Sequence, residues 1–205
     1  VIAEVYSFSL LLVSLALLLG IQLRGSWQPG KWLAVIFVLG TAVVHHRILL
    51  FLLPLVLLLA WPQPWQWFQQ GVRHVFYSLL AFVVPFLAYL YLPLRAYQGA
   101  LWVYGQPDTW SGFWQQVTGS EVVGGLLRLP DSYAALVQNL HFLYGHLTQQ
   151  FPWFLLLAGL VGLLWLSRED WQAGLAFLSG AGVLPFFVLL FPRAVWAPAV
   201  LMPSL

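Results

Sequence analysis

Three ionisable side chains, His45, His46 and Arg47, stand at the centre of the apolar run "TAVVHHRILLF" (Thr41 to Phe51). An arginine at the centre of a bilayer costs about 2.5–3.5 kcal/mol on insertion scales, so such a group stays only where it has a task or a route to water. Two adjacent imidazoles on one chain rarely share a metal ion, and a structural role in capping helix ends weighs as heavily as a chemical one. Charged residues are few elsewhere in the chain as well, Glu4, Arg95 and Asp108 among them.

The solvent around these groups follows from composition. Of 205 residues, 61% are hydrophobic and 7% charged, and the mean hydropathy is +0.86. A soluble domain carries roughly 25% charged residues, so the chain reads as an integral membrane protein. The net charge of +2 rests on few groups and gives no ground for nucleic-acid binding. Cysteine is absent, which removes disulfides, thiolate catalysis and thiolate-held metal. The sequence opens at Val1 directly into an apolar run and ends in "APAVLMPSL", and it is expected to be a piece of a longer membrane protein.

Hydropathy predicts an all-α, polytopic bundle of about six membrane helices, two of them short. Spans are expected at Val5–Leu23, Trp32–Trp61, Val75–Leu92, Pro152–Leu166 and Trp171–Phe191. The chain forms a single membrane domain, 1–205, with residues 95–150 as one external loop. Most of the twelve tryptophans, Trp27, Trp32, Trp61, Trp65, Trp67, Trp153, Trp165, Trp171 and Trp196 among them, fall at expected span ends, as an interfacial belt requires.

The loop is too apolar for disorder. Trp110, Phe113, Trp114 and Val117 recur on one helical face, and Pro107 and Asp108 suit the first turn of that helix. A second pattern, Tyr133, Leu136, Val137, Leu140, Tyr144 and Leu147, follows another Pro-Asp start. Helices are expected near 108–118 and 132–148, either along the membrane surface or packed on the bundle as a cap.

Trp32–Trp61 is too long for one upright crossing, at about 45 Å if wholly helical. Either it tilts and holds the His-His-Arg trio near mid-membrane, or it folds into a hairpin of arms Trp32–Val44 and Ile48–Trp61. The hairpin carries the trio to an interface, on the side of Glu4, the long loop and Arg193. With Arg128 left aside, charge counting gives four Lys/Arg against three for the hairpin and four against two for the single helix. That mildly favours the tilted helix, yet the hairpin is the expected arrangement, on the length mismatch and on the common side it gives the polar residues.

Three segments in this order carry a resemblance: "AEVYSFSLLLVSLALLL", "VLGTAVVHHRILLFLLPLVLLL" and "YLYLPLRAYQGALWVYGQPDTWSGFWQQVTGSEV". Together they resemble bacterial domain-of-unknown-function family 2723, itself similar to the transmembrane protein O-mannosyltransferases of glycosyltransferase class C. The most specific stretch is Leu92-Pro93-Leu94-Arg95-Ala96, then Gly105-Gln106-Pro107-Asp108-Thr109, Phe113 and Val117-Thr118-Gly119. Val122 stands where many relatives have Tyr, and the likeness covers about the first two thirds of the chain.

The resemblance implies transfer of a sugar from a polyprenyl-phosphate donor, a lipid-linked substrate, to an acceptor outside the cytoplasm, in the bacterial plasma membrane. In that chemistry Arg47 and Arg95 are suited to bidentate contacts with the lipid phosphate. His46, Glu4, Trp102, Tyr104 and Asp108 are the further substrate-binding candidates. The catalytic carboxylate of the class lies upstream of Val1. No cofactor or metal site is predicted, although the class admits a divalent metal. Each candidate has a plainer reading: Arg95 as an anchor snorkelling to headgroups, Asp108 as a helix N-cap. Two other functions fit the same residues, a transporter or flippase fragment and a non-catalytic membrane scaffold.

Overall fold

The computed structural model describes residues 2–100, 103, 105–120 and 130–190, and all regular structure among them is helical. Helix α1 (Ile2–Gly25) is followed by α2 (Pro29–His45), a 3-10 turn (Arg47–Phe51), α3 (Leu52–Ala60) and α4 (Gln63–Gln69). Next come α5 (Val72–Val83), a second 3-10 stretch (Val84–Leu90) and α6 (Tyr91–Tyr97). Then follow α7 (Trp110–Thr118), α8 (Tyr133–Gln150), α9 (Trp153–Glu169) and α10 (Trp171–Leu190). Backbone proximity divides the chain into two units, one of Val1–Leu94 with Leu163–Gly180, the other containing Arg95–Gly162.

Among the described residues two helices are long and apolar enough to cross a membrane, Ser7–Gly25 and the continuous Val72–Tyr97, and up to four do so if each sharply bent pair counts as one span. α1 shows why water is excluded as their solvent. Leu12, Ala16 and Leu23 form its buried stripe, yet Leu10, Leu11, Leu15, Leu18 and Ile21 point outward. A helix that is hydrophobic all round belongs in lipid or in a large core.

In the first unit α2 packs between α1 and α5. Its buried residues Trp32, Val35, Ile36, Leu39 and Ala42 recur at helical spacing and form a core with Leu55, Val56 and Leu59 of α3. Gly40 permits the close approach to α5, because a Cβ there would strike the Phe82 carbonyl. Prolines set the 3-10 segments. Pro54 and Pro85 have no N–H for the carbonyl four residues back, so the chain tightens into i→i+3 bonds beside them.

The segment Trp32–Trp61 is not one tilted helix. Its backbone breaks at His46, which is extended at φ −150° and ψ 107°. Beyond it the chain reverses: the His45 ring meets Phe8 near the start of α1, while Leu59 of α3 lies against Gly20 near its end. α3 therefore runs beside α1 and opposite to α2, as the hairpin requires. The second arm is shorter than expected, since α3 begins only at Leu52.

Candidate functional site

The His-His-Arg trio lies at one end of the first unit. His45 closes α2, with its ring edge on Phe8 at a centroid distance of 4.8 Å. The His46 backbone caps both neighbouring segments. Its N–H donates to the Ala42 carbonyl at 2.7 Å, and its carbonyl accepts from Leu49 N at 2.9 Å. At His46 the capping expected of a histidine pair is thus made by main chain. Another late carbonyl of α2, that of Val44, accepts from the Tyr89 hydroxyl at 3.3 Å. Burial by surrounding protein lowers the His46 pKa below the usual imidazole value, and the nearby His45 and Arg47 lower it further. Arg47 opens the 3-10 turn, half-buried.

Arg95 and Asp108 belong to the second unit, described by itself. Arg95 is exposed on α6, and its guanidinium donates to Gln98 Oε1 at 3.5 Å. Two residues on, the Tyr97 hydroxyl donates to the Asp108 main-chain carbonyl at 3.3 Å, drawing the end of α6 to the start of α7. Asp108 is not the N-cap. Thr109 is: its hydroxyl accepts from Gly112 N at 3.0 Å and donates to the Gln106 carbonyl at 2.8 Å. Ser132 likewise caps α8, accepting from Ala135 N at 3.2 Å. In both Pro-Asp starts the residue after the aspartate takes the cap, and the exposed Asp108 carboxylate is left for other contacts. Trp102 and Tyr104 lie outside the described residues, as does the Glu4 side chain, although Glu4 itself is in the first turns of α1.

A buried polar node at the opposite end of the first unit carries no sequence motif. Ser78 Oγ accepts from Trp32 Nε1 at 3.0 Å and from Trp67 Nε1 at 3.1 Å, and donates to the His74 carbonyl at 3.0 Å. One hydroxyl fills its whole capacity of one donor and two acceptors. The His74 ring stands edge-on to Trp67 at 4.2 Å. Trp32 and Trp67 are therefore buried, not part of an interfacial belt, whereas Trp61, Trp65, Trp153, Trp165 and Trp171 are exposed as a belt demands. The only sequence trace of the node is the i, i+4 spacing of His74 and Ser78.

Nearby, Arg24 at the end of α1 forms an ion pair with Asp170 in the α9–α10 turn. Among the described residues no three His, Asp or Glu side chains gather to hold a metal ion. Compared with models of protein families, with curated proteins and with solved structures, the chain matches none.

Proposed function

We propose that the chain is part of a membrane glycosyltransferase of the class C type, in the bacterial plasma membrane. It takes a sugar from a polyprenyl-phosphate donor and passes it to an external acceptor. The acceptor hydroxyl attacks the anomeric carbon, the bond from that carbon to the phosphate oxygen breaks, and the polyprenyl phosphate leaves. A carboxylate takes the hydroxyl proton. In this reading six segments cross the membrane, and residues 95–150 with α7 and α8 lie outside.

One observation carries the reading. The break at His46 sets Arg47 at a chain reversal after α2 rather than inside a continuous helix, which supports a position for it near the lipid headgroups. The family-like stretch adds Arg95, exposed in the last turn of a helix long enough to cross. Arg47 and Arg95 are each assigned to the donor phosphate by their chemistry, and His46, Asp108, Glu4, Trp102 and Tyr104 to the sugar.

The test is sugar transfer by the full-length enzyme carrying Arg47→Lys or Arg95→Lys. A lysine keeps the charge but loses the two-pronged contact. Each variant is expected to lose about 2–4 kcal/mol of transition-state stabilisation, roughly 30- to 1,000-fold in rate. Near-normal rates in both would reduce the arginines to membrane anchors.

A further inference from the structure

We propose that α4, with the rings and cations around it, is a docking surface for the anionic headgroups of a phospholipid leaflet. The surface stands apart from any transfer reaction. Geometry is the first ground. The helical run Leu49–Ala60, which packs along the spanning helix α1, turns by 91° into Gln63–Gln69. If α1 and α3 stand upright in the bilayer, α4 must lie along its surface.

The faces of α4 divide accordingly. Pro64 and Trp67 are buried against the bundle. Trp61 and Trp65, one turn apart with ring centroids at 6.4 Å, are 44% and 54% exposed. Further round the helix, Gln66 and Gln70 are exposed. An apolar body beside a polar rim is the arrangement by which indoles settle at headgroup depth. The α9–α10 turn extends the surface: Gln172 Nε2 donates to the Trp61 carbonyl at 3.2 Å, bringing the exposed rings of Trp165 and Trp171 to the same end.

Charge selects the lipid. Lys31 adjoins Trp32 of the buried node, Arg73 adjoins His74, and Arg168 lies two residues before Asp170. Arg24 and Asp170 neutralise each other in their ion pair. In these turns that leaves three cations, Lys31, Arg73 and Arg168, against the single carboxylate of Glu169, an excess that favours a negatively charged leaflet over a zwitterionic one.

Two measurements test this on the protein reconstituted in nanodiscs. First, spin labels are placed singly by Trp65→Cys and Gln66→Cys, exposed positions in a chain without cysteine. The label at 65 should show headgroup depth by oxygen against nickel-chelate accessibility, and the label at 66 should read as water. Equal aqueous exposure of both would overturn the proposal. Second, energy transfer from tryptophan to dansyl-labelled phosphatidylglycerol should exceed that to dansyl-labelled phosphatidylcholine. Arg73→Gln with Arg168→Gln should cut that preference about fivefold per cation at low salt. Both arginines are exposed, so this arm does not depend on repacking. Equal transfer to the two lipids, or a preference unchanged in the double variant, would also overturn it.

Discussion

The indole N–H of Trp32 donates to the hydroxyl of Ser78 across 3.0 Å, joining α2 to α5 at a point where both side chains are buried. The bond tells against truncation at either end. Ser78→Ala strands the Trp32 donor, while Trp67 keeps its second acceptor, the His74 carbonyl at 3.2 Å. The expected loss is about 1–3 kcal/mol, the usual penalty for a buried donor left without a partner. Thermal unfolding in detergent measures it. Trp32→Phe in the Ser78→Ala background should cost less than the two single changes added together, because no donor then remains to be stranded.

Gly40→Ala is expected to be destabilising by about 1–3 kcal/mol, since the new methyl group meets the Phe82 carbonyl and backbone yields poorly. Gly162→Ala is the control. Nothing approaches its added Cβ, and Ala favours the helix by up to about 1 kcal/mol, so its melting temperature should hold or rise. Equal shifts for the two variants would argue against a tight α2–α5 contact.

The Arg24–Asp170 pair gives a pH dependence of known sign. The hydrogen bond from Arg24 holds the Asp170 carboxyl below its ordinary value of 3.8, with backbone N–H donors helping. A depressed carboxylate contributes stability that is present above the unfolded pKa and lost as pH falls through the folded one. Unfolding temperatures should therefore drop below about pH 4, and Asp170→Asn should flatten that part of the profile. A profile identical in wild type and variant would show that the pair contributes nothing.

Thr109 and Asp108 separate capping from binding. Thr109→Ala should weaken α7 by about 0.5–2 kcal/mol, seen as faster amide exchange over residues 110–118. Asp108→Ala should leave that exchange unchanged and, under the proposed function, reduce sugar transfer. Faster exchange in the Asp108 variant would return the cap to the aspartate.

Local features of the sequence were enough for helix existence and for many helix limits. The pattern from Tyr133 to Leu147 led to a helix near 132–148, and α8 runs Tyr133–Gln150. The Trp110-to-Val117 stripe marked 108–118, and α7 begins slightly later because Thr109, not Asp108, accepts the capping bond. Composition alone marked the chain as a membrane protein, and the length of Trp32–Trp61 showed that one upright helix was impossible. These are properties of neighbouring residues, and periodicity, span length and turn chemistry record them.

Direction was beyond such signals. α1 is apolar on every side, so its sequence names no face for α2 and α3, and Leu12, Ala16 and Leu23 are known as the packed stripe only from the fold. Charge counting leaned towards a tilted helix, while the structure breaks at His46, where Ala42 and Leu49 share one residue's main chain. Trp32 looked like an interfacial ring by position, yet its indole found an acceptor 46 residues away and went inside. A polar atom enters an apolar core only where a distant partner satisfies it, and that partner is brought close by tertiary packing alone.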